Sequence, residues 1–235
     1  MIFTVLGMNG PYAAAGGAGS GYLLRDDEMK ENILLDCGPG VLARLQKYTG
    51  LRSLSGVVLS HLHYDHMSDM LALQYALGNW ENPLRVVAPE EPKPVWTLLN
   101  APCFQLQAPM EMELKGFHFE FIPAVHPVPA VSMAISRENR RMVYTGDTNL
   151  NPELKAFAKG ADLLVADGAF LMEEWAAEKP HMAAAHCARL AQEAGVKRLV
   201  ITHFAPDSDR MRLLKQATEI FPEVILASEG LTLSV

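Results

Sequence analysis

Short apolar runs, typical of strands, alternate along the chain with longer segments whose apolar residues recur at helical spacing. The runs predict strands at 2–7, 20–25, 31–36, 56–60, 84–88, 111–122, 131–136, 141–146, 162–167, 198–202, 223–227 and 231–235. The helical patterns, bounded by Gly, Pro and Asp, predict helices at 39–49, 67–78, 93–100, 152–159, 181–194 and 208–221. Hairpins such as 131–146 mix with helical crossovers, which favours an α/β fold of two mixed sheets with helices outside.

Composition is consistent with one domain spanning residues 1–235. The chain has 235 residues, of which 49% are hydrophobic, so it can bury a large core without a second domain. Its three cysteines are widely separated and odd in number, and they predict no disulfide framework.

The uncharged N-terminal segment predicts neither a membrane-spanning segment nor a signal peptide. Asn9, Gly10 and Pro11 interrupt its apolar run, and no basic segment precedes it. We therefore expect a cytoplasmic protein with no membrane partner.

The densest group of potential metal ligands lies directly after the apolar run Val57-Val58-Leu59. The segment His61-Leu62-His63-Tyr64-Asp65-His66 places four potential metal ligands within six residues. In extended chain His61 and His63 project to one side, whereas the adjacent Asp65 and His66 must diverge as the chain turns. One strand end can therefore serve two metal ions. The alternative is a histidine-rich surface loop.

Three further candidate ligands follow other predicted strands. His126 follows 117–122, Asp147 ends the run 142–146, and His203 ends the run 199–202. Each carboxylate oxygen carries lone pairs, so Asp147 is the natural ligand to be shared by two cations, although an isolated Asp in such a segment is more often a turn residue.

This pattern resembles the metallo-β-lactamase superfamily, whose signature is His-x-His-x-Asp-His followed by a distant His, an Asp and a final His. The resemblance extends from Met1–Gly7 through Leu34–Gly38 to Ile201–Phe204. It implies a four-layer αβ/βα sandwich. It further implies that one metal is held by His61, His63 and His126 and a second by Asp65, His66 and His203. Asp147 and a hydroxide would bridge the two metals, and Asp36 would orient a ligand.

Within that superfamily the chain is similar to the ribonuclease Z-like branch, which includes small bacterial phosphodiesterases. The similarity rests on Val125–Ala130 and on the segment around His181. In the branch a His-Ser-Thr motif at a helix start supplies a histidine that acts on the scissile phosphate; here the motif reads His181-Met182-Ala183. Asp167 stands where the branch usually has a glutamate that holds this histidine, and a capping or turn role is the equal alternative.

The resemblance implies binuclear hydrolysis. Two divalent cations polarise the phosphoryl oxygens and lower the pKa of a bridging water. Asp65 would orient or deprotonate that water, and His181 would stabilise the developing charge or protonate the leaving alkoxide. Zinc suits the nitrogen-rich ligand set best, with manganese or iron as alternatives.

The expected substrate is a small phosphodiester, cyclic or nucleotide-like. Transfer-RNA processing enzymes of the branch usually carry an RNA-gripping arm between the third-motif histidine and the bridging Asp, where this chain has only residues 127–146. A net charge of −7 also disfavours long nucleic acid. The alternatives are a ribonuclease Z-like nuclease, a glyoxalase II-type thioesterase and a non-catalytic metal-stabilised binding protein.

Four other features say less about the function of the protein. The glycine-rich loop 10–21 is no P-loop, because Tyr22 stands where Lys is required; it either lies beside the metal site or simply connects strands. Core packing explains most of the apolar character of helix 67–78, but the branch often dimerises through neighbouring helices, so this helix is also the candidate surface for a homodimer. His118 and His186 are expected to pack or face solvent and receive no role.

Overall fold

The structure, a computed structural model, describes residues 1–235 and contains fourteen strands. In chain order these are β1 Ile2–Gly7, β2 Gly21–Arg25, β3 Asn32–Leu35, β4 Gly56–Val58, β5 Leu84–Val87, β6 Phe104–Gln107, β7 Met112–Leu114, β8 Phe117–Pro123, β9 Val131–Arg137, β10 Arg140–Tyr144, β11 Leu163–Asp167, β12 Leu199–Thr202, β13 Val224–Leu226 and β14 Thr232–Ser234. The helices are α1 Val41–Leu45, α2 Tyr64–Met67, α3 Asp69–Leu77, α4 Lys93–Leu98, α5 Leu154–Phe157, α6 Ala184–Ala194 and α7 Arg210–Thr218, with a 3₁₀ turn at Leu51–Ser53.

The strands form two seven-stranded mixed sheets, in the orders β14-β1-β2-β3-β4-β5-β6 and β13-β12-β11-β10-β9-β8-β7. In the first sheet β3 to β6 run parallel, and in the second β10 to β13 run parallel. Parallel neighbours end at the same edge of a sheet, so the segments that follow β3, β4, β10, β11 and β12 meet there. This edge carries the candidate site.

Apolar side chains from both sheets pack face to face and form the main core. Phe3 and Tyr22 of the first sheet meet Phe119 and Tyr144 of the second, and all four are buried. A second apolar layer joins the outer face of the first sheet to α1 and α3, and α6 covers the second sheet through its alanines. The predicted αβ/βα sandwich of four layers is confirmed.

Several elements differ from those predicted. Residues 111–122 form the β7–β8 hairpin instead of one strand, because Lys115 and Gly116 adopt left-handed φ values of 54° and 80° and turn the chain back. Strand β6 was not predicted, since only four residues alternate there. The helix predicted from 181 begins at Ala184, so His181 lies in the loop that precedes it.

The segment predicted as helix 67–78 starts earlier and is divided into α2 and α3, so α2 contains Asp65 and His66 of the histidine-rich motif. None of the helices is both long enough and apolar enough to span a membrane.

Candidate metal centre

Asp36, which directly follows β3, organises the edge of the first sheet. Its buried carboxylate accepts hydrogen bonds from the backbone and the hydroxyl of Ser60 (2.7 and 2.8 Å), from Nδ1 of His66 (2.8 Å) and from the Tyr144 hydroxyl (2.7 Å). Because Nδ1 of His66 donates to this carboxylate, Nε2 is left as the atom that faces the cluster. Asp36 thus stands where the resemblance implies, against a candidate ligand.

Three histidine ring nitrogens converge in a first cluster. Nδ1 of His63 lies 3.0 Å from Nε2 of His61 and 3.1 Å from Nε2 of His126. Burial lowers the pKa of all three imidazoles, most strongly that of His61, which is fully buried and also lies near the charge of His66. Neutral imidazoles carry ring-nitrogen lone pairs, and three nitrogens this close cannot all be satisfied by one another. A cation would satisfy them.

Asp65, His66, Asp147 and His203 form the second cluster. Nε2 of His203 lies 3.2 Å from Oδ2 of Asp65 and 3.1 Å from Oδ2 of Asp147. Nε2 of His66 lies 3.2 Å from Oδ2 of Asp147, yet this buried nitrogen makes no hydrogen bond. Such an unpartnered buried nitrogen is costly unless it has a ligand, which is what a cation in this cluster would provide.

Asp147 lies between the two clusters. Its Oδ2 is 3.6 Å from Nε2 of His61 in the first cluster, in addition to its contacts with the second. Burial raises the pKa of this carboxyl, but the charges of His203, His66 and His61 outweigh burial and hold the pKa well below its usual range. The carboxylate is therefore ionised and accessible to both clusters.

A tight turn brings Asp147 to this position. Gly146 has a φ of 57°, and a Cβ there would lie 2.9 Å from both the Ser60 Cβ and the Val131 carbonyl oxygen. Only glycine fits both the conformation and the space.

His181 lies beside the second cluster and is held by Asp167. Its Nδ1 is 2.7 Å from Oδ2 of Asp167 and 3.9 Å from Oδ2 of Asp147. Burial lowers the pKa of His181, but the charge and hydrogen bond of Asp167 and the charge of Asp147 outweigh it and raise the pKa to about 9. Oδ2 of Asp167 also accepts from the backbone of Thr148 (3.1 Å). The structure therefore brings together His181 and the carboxylate that the sequence paired with it.

Asn149 was missed by sequence reasoning. Its amide nitrogen donates to the carbonyl oxygens of Ala177 (3.0 Å) and Lys179 (2.5 Å), and its Oδ1 accepts from the Trp175 indole (3.0 Å). It fixes the loop that leads to His181. Its position two residues after Asp147 was the only available signal, since these three partners are more than twenty residues away.

The remaining histidines lie outside the clusters. His118, on β8, contacts Glu113 and Glu111, and His186, on α6, packs edge-on against Trp175.

The glycine-rich loop packs against the second cluster. A Cβ on Gly10 would lie 2.0 to 2.5 Å from ring atoms of His203, and a Cβ on Gly19 would lie 2.7 Å from the carbonyl oxygen of Asp65. His203 itself has a left-handed φ of 67°, an unusual conformation for a non-glycine residue. Of the two roles considered for this loop, contact with the site is the one observed.

Replacing Gly10 with Ala is expected to displace either the loop or the His203 ring, because there is no room for the methyl group. We expect a loss of about 1–3 kcal/mol in the free energy of unfolding, as for other overpacked sites. The measurement is denaturant unfolding in the presence of a chelator, so that metal binding does not contribute. Gly50→Ala is the control: Gly50 has a φ of −73°, and a Cβ there would meet only the Ser53 hydroxyl oxygen, at an ordinary contact distance of 3.6 Å, so the change should stay within about 0.5 kcal/mol. Equal stability of the two variants would contradict the packing argument.

Comparisons with known proteins agree with this geometry. A family model described as a beta-lactamase superfamily domain matches residues 31–204. The probable metallo-hydrolase YhfI of Bacillus subtilis is 31% identical over 98% of each chain, and its crystal structure covers 99% of this chain and 98% of its own with a TM-score of 0.93. A ribonuclease Z of Methanosarcina acetivorans is 27% identical over 87% of this chain and 89% of its own. Zn(2+)-bound PqqB of Methylobacterium extorquens, 18% identical, shares the fold over 100% of both chains with a TM-score of 0.76. The resemblance inferred from the sequence is confirmed, and the chain belongs to the beta-lactamase superfamily.

Proposed function

We propose that the chain is a binuclear metal-dependent phosphodiesterase acting on a small phosphodiester. The observation that carries the proposal is the arrangement of two ligand clusters around one carboxylate, Asp147, with the Asp167–His181 pair beside them. Relationship to a probable metallo-hydrolase and to ribonuclease Z proteins supports hydrolysis as the reaction class.

The donor sets suit two divalent cations. His61, His63 and His126 would hold one ion, and Asp65, His66 and His203 the other, with Asp147 shared. The unpartnered Nε2 of His66 supports the assignment, and the nitrogen-rich donors favour zinc over manganese or iron. When bound, two such ions polarise phosphoryl oxygens and make a water molecule acidic enough to attack at neutral pH.

His181 is the proposed general acid. Because Asp167 occupies Nδ1 of its ring, Nε2 is the atom left to donate a proton to the departing alkoxide or to bind its developing charge. The same hydrogen bond fixes the tautomer and the orientation of the ring.

Asp65 is the proposed partner of the attacking water. Burial raises the pKa of its carboxyl, but the hydrogen bond with His203 and the charges of His66 and His203 outweigh burial and lower it. The ionised carboxylate can accept the water's hydrogen bond and orient it.

Two features favour a small substrate. The region between His126 and Asp147 consists of a short loop and the β9–β10 hairpin, which turns at Glu138-Asn139 and presents no projecting arm. The net charge of −7 opposes binding of a long polyanion. The ribonuclease Z relatives make RNA processing the second candidate function.

The test is a comparison of four substrates on the metal-loaded protein. We expect metal-dependent cleavage of bis(p-nitrophenyl) phosphate and little or no cleavage of a cephalosporin or lactoyl-glutathione, because the proposed role of His181 is to assist a phosphodiester leaving group. Precursor transfer RNA should be cut poorly. Faster thioester turnover would favour the glyoxalase II-type function, site-specific removal of a transfer-RNA trailer would favour the nuclease, and no turnover of any substrate would favour a binding protein.

A further inference from the structure

A groove lined by prolines opens beside the first ligand cluster. Its volume is about 490 Å³, and His126 is the one titratable residue that lines it. Its walls include Pro89, Pro109, Pro123, Pro127, Val128 and Pro129. A pocket of this volume suits a small molecule or one part of it.

The groove is preformed because its main wall is closed by backbone hydrogen bonds. The backbone nitrogen of Ala124 donates to the carbonyl oxygen of Ala130 (2.9 Å), and that of Val131 donates to the carbonyl oxygen of Ser60 (2.9 Å). Proline rings restrict the chain further and offer no N–H groups. The wall is therefore stiff, apolar and poor in hydrogen-bond donors.

His126 belongs both to the groove and to the ligand cluster. It lines the cavity, while its Nε2 lies 3.1 Å from Nδ1 of His63. A phosphodiester whose phosphoryl group lay on the ligand cluster would extend one of its two ester substituents along this wall. The groove thus adjoins the place where the proposed reaction occurs.

We propose that this groove binds an uncharged planar ring, a nucleobase or an aryl group, that is carried by one ester substituent of the phosphodiester. The inference rests on the proposed function, and it makes Val128 and the surrounding prolines the residues that select the substrate. A flat ring gains from apolar contact on such walls, whereas a charged or strongly hydrated group would lose its water there without replacement.

The other cavity near His181 is a poorer site for such a ring. It encloses about 480 Å³ and is lined by charged residues including Glu174, Lys179, Asp207, Asp209 and Arg212. Its one aromatic side chain, Phe170, already has the Lys179 ammonium 4.3 Å from the ring centre. One face of that ring is therefore already occupied by the protein itself.

The experiment compares the dissociation constants of phenylphosphonate and methylphosphonate, measured by calorimetry on the metal-loaded protein. The two probes share the phosphonate group and differ only in its substituent, a phenyl ring in one and a methyl group in the other. Phenylphosphonate should bind about 10-fold more tightly, which corresponds to about 1.4 kcal/mol of apolar contact.

Val128→Asn should reduce the preference to about 2-fold by making the wall polar, with metal content unchanged. Val125→Asn is the matched control, because Val125 lies on the same loop, is 47% exposed and does not line the groove; it should retain the full preference. Val128→Trp, which fills the groove, should remove the preference by a different route.

Equal binding of the two probes by the unmodified protein would overturn the proposal. So would a preference that survives both Val128 variants, or one that Phe170→Ala removes instead. Turnover of bis(p-nitrophenyl) phosphate is measured separately. A preference for the ring without turnover would support ring binding in the groove and contradict the proposed function.

Discussion

Asp147→Ala is expected to lose metal and turnover together, because the Asp147 carboxylate lies between the two clusters and is the proposed shared ligand. Its Oδ2 lies 3.1 Å from His203, 3.2 Å from His66 and 3.6 Å from His61. We expect the unmodified protein to hold about two ions per chain and the variant to lose at least one, with turnover reduced by about 100-fold or more. Elemental analysis after removal of free metal measures the first effect, and phosphodiester hydrolysis measures the second.

Glu153→Ala is the control for this change. Glu153 is an exposed carboxylate six residues further along, and its side chain makes no cap hydrogen bond to α5, so its removal should leave both readouts unchanged. One tightly held ion in the unmodified protein, after loading with excess zinc and manganese, would refute the binuclear assignment. Two ions retained by Asp147→Ala would show that this carboxylate is not shared.

His181→Ala is expected to separate chemistry from metal binding. His181 contacts Asp167 at 2.7 Å and stands 3.9 Å from Asp147, so its loss should leave the proposed seven-residue ligand set intact. Turnover should fall by about 100-fold or more, because general acid assistance and charge stabilisation at the leaving group are both removed. The measurements are metal content, unfolding and the rate of phosphodiester hydrolysis on the same preparations.

His118→Ala is the matched control, since His118 lies on β8 among Glu111 and Glu113, away from the clusters. Full activity of His181→Ala on several phosphodiesters would show that the proposed acid role is wrong. Loss of metal would instead make His181 a ligand, a role open to it because it groups with Asp147, Asp167 and His203.

Much of this architecture follows from local sequence. The β9–β10 hairpin was predicted from alternation and from the polar turn at 137–140, and the structure pairs Arg137 with Arg140 there. The dense motif from His61 to His66 was visible for the same reason, because its ligands are neighbours in the chain. Periodicity, turn chemistry and ligand density act over a few residues, and a single sequence displays them directly.

The tertiary structure alone decided which distant groups touch. The Lys115-Gly116 turn was hidden within continuous alternation, and the contact of Gly10 with the His203 ring joins residues almost two hundred positions apart. The proline groove likewise takes its walls from three separate segments, at Pro89, Pro109 and 123–131. Hydrophobic patterning determines that two sheets form and pack, but it does not specify which loops meet at the edge of the sheets. That meeting is set by the packing of the whole core.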